Sequence, residues 1–310
     1  MKKILVTGGA GFIGSNLVDR LIANGNEVVI IDDLSSGKKS YINKEAKFYK
    51  LSITSKHLKK IFAQEKFDFV YHLAAQIDVR KSVSNPVYDN EINVLGGLNV
   101  LENCREFGVK KIIFASTGGA IYGESDEIPT TEYASTYPLS PYGINKLAFE
   151  KYLNYYYQVF GVNYTILRFA NVYGPRQFKG GEAGVIAIFI DNAVSGKESI
   201  QYGDGKQTRD FVFVEDVVSA LVKARDIDCR GEINISLGQE ISLLSVILQI
   251  EKALGKKMNI KEEAPKIGEQ RRSCLSRNRA KDVLDWSPKF SLEEGIKKTI
   301  EWAKGAHALE

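Results

Sequence analysis

The chain has 310 residues, enough for one large α/β domain or two modest ones, and its 44% hydrophobic content excludes a disordered polymer. Its 42 Lys+Arg against 38 Asp+Glu give +4 without a basic block, which excludes a nucleic-acid binder working through a clustered cationic face. No apolar run approaches the roughly 18 residues that span a bilayer, the start MKKILVTGG does not read as a secretory signal, and Cys104, Cys229 and Cys274 are too scattered for a disulfide framework or a metal cluster. The expectation is a cytoplasmic, enzyme-sized protein without nucleic-acid, membrane or metal partners.

In chain order, ILVT (4–7) precedes a helical pattern from Phe12 to Ala23, then EVVIID (27–32), a helix near 56–63 and FVYHLAA (69–75). A helix from about 86 to 107, KIIFAS (111–116), a helix from 141 to 160 and NYTILRFA (163–170) follow. The strands are continuous apolar runs, as parallel strands covered on both faces should be. Repeated β–α units of this kind predict a doubly wound, Rossmann-like parallel sheet. After Arg168 the rhythm breaks at the glycine-rich GPRQFKGGEAG (174–184). A helix over 185–194, a strand at Ser199–Tyr202, DFVFVEDVVSALVKA (210–224), EINIS (232–236) and helices near 242–254 and 292–303 complete the chain. The division expected is a dinucleotide-binding domain over 1–169, with a return segment near 210–230, and a smaller mixed α/β lobe over 170–310.

The densest motif is VTGGAGFIGSNL, in which Gly8, Gly11 and Gly14 follow a strand and open a helix. Glycines are needed there because a pyrophosphate must approach the backbone and be held by N–H groups at the helix start. Asp32 ends the second strand eighteen residues past Gly14, where a carboxylate accepts a ribose 2′-hydroxyl and repels a 2′-phosphate. NAD is therefore expected rather than NADP. Asp33 equally suits a cap of the DDLSSG turn.

SPYGINKLAFEKYL puts Tyr142 and Lys146 one helical turn apart on a shared face. A phenol is a poor base at neutral pH, and a neighbouring ammonium favours its phenolate. FASTGGAIYG (114–123) adds hydroxyls at Ser116 and Thr117, at the sheet edge where such folds bind ligands. His72 and His57 read as a strand-end polar contact and a surface helix residue. The tyrosines of YLNYYYQVF read as packing.

These blocks together resemble the extended short-chain dehydrogenase/reductase family, and within it the UDP-glucose (UDP-galactose) 4-epimerase type. TGGAGFIG, DDLSSG, HLAAQ, STGGAIYG, SPYGINK, LRFANVYGPRQ, TRDFVFVEDV and GEQRRSCLSRNRAKDVLDWSPKFSLEEGI occur in the family's order over nearly the whole chain. The resemblance implies a cofactor site of Gly8, Gly11, Phe12, Ile13, Gly14, Asp32, Asp33, Leu34, Ser35, Ser36, Gly37, Ile53, Leu73, Ala74, Ala75, Gln76 and Asn93 with Tyr142 and Lys146. Tyr142 matches the base, Lys146 the holder of the nicotinamide ribose, and Thr117 the third catalytic position. The implied sugar-nucleotide contacts are Thr117, Gly118, Tyr142, Asn171, Arg176, Val185, Tyr202, Arg209, Lys266, Glu269, Arg272 and Ser273. Arg209 suits a diphosphate because its donor fork binds two oxygens at once. A homodimer packed through helices is also implied.

Four departures stand out. Gly118 lies where many relatives carry Ser or Thr, so Thr117, Ser116 or a water could bond the sugar hydroxyl. Ser52 replaces an adenine-side Asp, leaving Ile53. Lys266 replaces an arginine. Ser273 stands where some relatives carry tyrosine, leaving room for an N-acetyl group at sugar C2. The implied reaction is 4-epimerisation through a transient 4-keto sugar, of the glucose/galactose pair and also of the N-acetylhexosamine pair. A uronate 4-epimerase or another sugar-nucleotide enzyme is the alternative, and a non-catalytic NAD sensor a remote one. The stretch Gly118–Gly119–Ala120 has no acid with which to eliminate water, which argues against a 4,6-dehydratase.

Overall fold

The computed structural model describes residues 1–177, 184–265 and 270–307. The first part alternates strand and helix. β1 (Lys3–Thr7), α1 (Phe12–Ala23), β2 (Glu27–Asp32) and β3 (Lys47–Lys50) lead to α2 (Leu58–Glu65) and β4 (Phe69–His72). Next come α3 (Val79–Ser84), α4 (Pro86–Asn90), α5 (Gly97–Glu106), β5 (Lys111–Thr117), the short α6 (Gly118–Ile121), α7 (Pro141–Phe160) and β6 (Tyr164–Phe169).

The second part holds β7 (Asn171–Tyr173), α8 (Val185–Ser195), β8 (Ser199–Tyr202), β9 (Thr208–Arg209), β10 (Phe211–Phe213) and α9 (Val214–Asp226). It ends with β11 (Glu232–Ile235), β12 (Ile241–Ser242), α10 (Leu243–Leu254), β13 (Ile260–Glu263), α11 (Asn278–Leu284) and α12 (Leu292–His307).

Seven parallel strands form one sheet in the order β11-β6-β5-β4-β1-β2-β3. The chain moves outward from β1 through β2 to β3, then crosses back to β4 and proceeds the other way. The switch point thus lies between the C-terminal ends of β1 and β4, where open α/β sheets bind ligands. Strand alternation sorts the core onto two faces. Ile4 and Val6 of β1 face one cluster with Leu17, Val18 and Leu21 of α1. Leu5 between them joins Phe62, Leu101 and Phe149 from α2, α5 and α7 on the other. Each such buried side chain is worth about 1.5–3 kcal/mol, so the register of β1 is strongly held.

The chain's expected return near 210–230 runs on to Ile235, where β11 adds the seventh strand beside β6. The helix expected from 86 to 107 is helical but not uniform. Asn85 caps α4, and a π-helical turn over Glu91–Gly96 separates it from α5. The turn holds Asn93, whose amide is bonded to Gln76 at 3.0 and 2.9 Å. FVYHLAA forms a strand only to His72 before bending along the cleft. The remaining elements form pairs outside the large sheet: β10 with β7, β12 with β9, and β13 with β8. Among the described residues no helix is long and apolar enough to cross a membrane.

Candidate active site

The glycine loop between β1 and α1 is drawn against the start of the 73–78 segment. Gly8 has φ +74°, and a Cβ on it would lie 2.7 Å from the backbone nitrogen of Ala74. A Cβ on Gly14 would lie 2.1 Å from the carbonyl oxygen of Gly8. Gly11 caps α1 without a side-chain hydrogen bond, so the first-turn N–H groups of Phe12, Ile13 and Gly14 meet no capping side chain. That geometry leaves donors and a positive helix end for an anion.

Asp32 is 8% exposed at the end of β2. Its Oδ2 accepts from the Ala10 N–H at 3.0 Å and its Oδ1 from Leu34 at 2.8 Å. Burial raises its pKa, and those two bonds oppose the rise. Leu34 takes φ +64° to make its bond, and Gly37 lacks the Cβ that would come 2.9 Å from Asp32 Oδ1. These two expected cofactor residues therefore shape the carboxylate rather than line the cleft.

The cleft encloses roughly 1020 Å³, its open mouth included. Its walls include Gly8, Gly11, Phe12, Ile13, Gly14, Asp32, Asp33, Ser35, Ser36, Ile53, Leu73, Ala74 and Ala75. Tyr142 and Lys146 close the far end beside Ala115 and Ser116. A dinucleotide fits this set: bare backbone at the helix start, a carboxylate at the second strand, and a tyrosine–lysine pair at the opposite end.

Sequence explains why that pair sits there. Ser140 accepts from the Gly143 N–H at 3.2 Å as N-cap, and Pro141 takes the first helical position. Tyr142 therefore emerges in the first turn of α7, with Lys146 one turn deeper. Gly143 permits close approach, since a Cβ there would meet the Ala120 carbonyl oxygen at 2.4 Å. The Lys146 ammonium donates to the Ala115 carbonyl at 2.8 Å, lies 4.5 Å from the Phe114 ring centre and 6.0 Å from that of Tyr142. Burial pulls its pKa down to about 8, against the pull of Glu150 and Asp89.

Gln76 and Asn93 do not line the cleft. Their amides pin the loop, and Gln76 Nε2 also donates to Asp89 at 2.7 Å. Thr117 is half-buried beyond the cleft lining. The glycine at 118 has a packing reason: a Cβ there would lie 2.3 Å from Leu275 Cδ1. Ser116 lines the cleft, yet its hydroxyl donates to Glu150 at 2.6 Å. That carboxylate pairs with Arg168 at 2.6 Å, with side chains 0% and 3% exposed. Arg168 continues the network to Tyr122, which donates to Asn234.

A second hollow of roughly 900 Å³ is lined by Asn171, Val185 and Arg209 with Gln207 and Phe211. Phe169 walls the cofactor cleft two residues before Asn171. Tyr202 flanks the hollow, its carbonyl accepting from Gln207 at 3.0 Å. Ser273 is 9% exposed, next to an exposed Arg272 that makes a bidentate pair with Glu240 at 2.9 and 2.7 Å. Arg176, expected at the substrate, pairs with Asp19 of α1 at 2.7 Å and stacks over Tyr41. Lys266 and Glu269 lie outside the described residues.

Asp210, which sequence reasoning passed over, ties this region together. It is 1% exposed, and its carboxylate accepts from the N–H groups of Leu237, Gly238 and Leu275 at 2.9, 3.0 and 3.2 Å. Its carbonyl accepts from the backbone and the amide of Asn171 at 2.9 and 3.2 Å.

Residues 4–236 match the model of the NAD dependent epimerase/dehydratase family. The chain belongs to that family. It is 46% identical over 302 residues to the putative UDP-glucose 4-epimerase of Methanocaldococcus jannaschii, covering 97% of this chain and 98% of that protein. The crystal structure of the Thermotoga maritima UDP-glucose 4-epimerase with UDP-glucose is 44% identical, with a TM-score of 0.95 over 99% of this chain and 100% of that one. The Thermus thermophilus UDP-glucose 4-epimerase in complex with NAD is 40% identical, with a TM-score of 0.92 over 98% and 99% of the two chains. The family is NAD dependent by description, in keeping with the carboxylate at Asp32.

Proposed function

We propose that this protein inverts the C4 hydroxyl of a UDP-hexose, interconverting UDP-galactose and UDP-glucose. The observation that carries this reading is a Tyr142–Lys146 pair closing a dinucleotide cleft whose wall at Phe169 lies two residues before Asn171 of the hollow that Arg209 also lines. When bound, NAD supplies the acceptor and donor of the C4 hydride.

Tyr142, as phenolate, takes the proton of the sugar 4-hydroxyl and later returns it. The Lys146 ammonium stabilises that phenolate and holds the nearby ribose. Arg209 binds the diphosphate, and Asn171 and Val185 hold the nucleotide half. Anchored there, the 4-keto sugar swings about its diphosphate link and presents its other face, so remote binding keeps the reactive carbon in place. Thr117 or a water bonds the sugar hydroxyl, since the Ser116 hydroxyl is taken by Glu150.

The small Ser273 favours acceptance of the N-acetylhexosamine pair as well. We further propose a homodimer. Ile144, Tyr152, Tyr155, Val159 and Phe160 of α7 are 39–55% exposed and Leu95 is 56% exposed, and a second copy would cover them. We place the enzyme in the cytoplasm.

Incubation with UDP-galactose, UDP-N-acetylgalactosamine and UDP-galacturonate separately, followed by proton NMR of the anomeric signals, tests the reading. Conversion of UDP-galactose to UDP-glucose is expected. Three unchanged substrates in the presence of NAD would refute it, and conversion of the uronate alone would favour the uronate epimerase.

A further inference from the structure

We propose that Asp89 is a buried counter-charge of Lys146, and that it acts through Asn145 to hold the lysine in place as an ammonium ion. The inference rests on the epimerase reading only for the consequence in turnover.

Lys146 and Asp89 are 4% and 0% exposed, and among the described residues neither makes an ion pair. An unpaired buried charge is costly, so two of opposite sign in one region are expected to compensate each other. The Asp89 carboxylate has only neutral donors. Its Oδ1 accepts from Gln76 Nε2 at 2.7 Å and its Oδ2 from Asn145 Nδ2 at 2.7 Å. Asn145 directly precedes Lys146 on α7, and its Oδ1 accepts from Asn90 at 3.0 Å. The negative charge is thus fastened by a rigid amide to the turn that carries the lysine.

The other groups facing Lys146 are engaged with other partners, neutral, or dependent on its charge. Glu150, one turn further along α7, is already saturated by Arg168 and Ser116. His72 of β4, bonded to Thr7 at 2.8 Å, is neutral, because burial and the lysine's own charge push its pKa down to about 3. Tyr142, one turn toward the helix start, gains its phenolate only while Lys146 is charged. Burial draws Lys146 toward the neutral amine, and the charges of Glu150 and, after it, Asp89 oppose that draw. Without Asp89 the lysine should lose its proton at lower pH, and the phenolate would lose its partner at neutral pH.

The test compares wild type, Asp89→Asn and the swap Asp89→Asn/Asn145→Asp. In the swap the Gln76 and Asn90 bonds keep their direction, only the 89–145 bond exchanges donor and acceptor, and the charge stays within the pair. The Lys146 titration is read by NMR of lysines labelled at the ε-carbon, its signal identified by loss in Lys146→Met. Wild type should titrate near pH 8, Asp89→Asn about one unit lower, and the swap close to wild type. The alkaline limb of the pH–rate profile should follow the same order.

A Lys146 titration unmoved in Asp89→Asn overturns the proposal. If that variant does not fold, the swap decides alone: wild-type titration supports the proposal, and a value lower by a unit or failure to fold overturns it. A lysine that shifts as stated in a protein that converts no UDP-sugar would sink the epimerase reading and leave this inference standing. Full turnover with an unmoved lysine is the converse.

Discussion

Replacing Asp210 by asparagine should remove a pH dependence of stability that runs against ordinary acid denaturation. Among the described residues the buried carboxyl has no cation beside it, and desolvation lifts its pKa from 3.8 to about 6 despite backbone bonds to Leu275, Leu237 and Gly238. A raised carboxyl means that the folded state binds more protons than the unfolded chain between those two values. Its contribution is therefore fullest below pH 3.8 and declines as pH rises through about 6. Between pH 5 and pH 7.5 this one group should lower stability by about 1.4 kcal/mol. The neighbouring Cys274 thiol is pushed up to about 12 by burial and does not titrate in that range.

Urea unfolding of wild type and Asp210→Asn at both pH values gives the answer as a difference of differences. The amide also sets an N–H₂ against backbone donors, at about 1–3 kcal/mol, but that cost is the same at both pH values and cancels. The wild type should lose about 1.4 kcal/mol more than the variant on going from pH 5 to pH 7.5. Equal losses would refute the assignment of the buried charge to Asp210.

Other substitutions test the remaining parts of the site. Gly14→Ala should abolish NAD retention, measured by cofactor content after purification, because its Cβ would fall 2.1 Å from a backbone oxygen. Tyr142→Phe should keep NAD and UDP-sugar binding by calorimetry while losing about 10²–10⁴-fold in kcat; near-normal turnover would remove it as the base. Arg168→Met strands the Glu150 carboxylate and should cost about 3–5 kcal/mol in urea unfolding, whereas a loss below 1 kcal/mol would show that the pair is dispensable. Ser273→Tyr should spare UDP-galactose and hinder UDP-N-acetylgalactosamine in competition assays, and an equal effect on both would discard Ser273 as the gate.

Much of the site was legible because its geometry is local. Gly8, Gly11 and Gly14 form a turn between adjacent elements, Asp32 ends the next strand, and Tyr142 and Lys146 need only one turn of helix to share a face. Ser140 and Pro141 mark that helix start by rules a sequence carries on its surface. Strand hydrophobicity likewise announced a parallel sheet covered on both sides.

What the tertiary structure decided lies in contacts between distant residues. Asp89 meets Asn145 across 56 positions, and Asp210 gathers Leu237, Gly238 and Leu275 from up to 65 positions away. No spacing rule reveals that Leu275 fills the room beside Gly118, that Gln76 and Asn93 pin each other instead of lining the cleft, or that Arg176 pairs with Asp19. Each of these choices is made by which buried polar groups find partners once the segments are packed. Strand hydrophobicity therefore determined the sheet, glycine spacing the cofactor loop, and a single helical turn the tyrosine–lysine pair. The buried hydrogen bonds decided which neighbours face the ligand and which hold the neighbours that do.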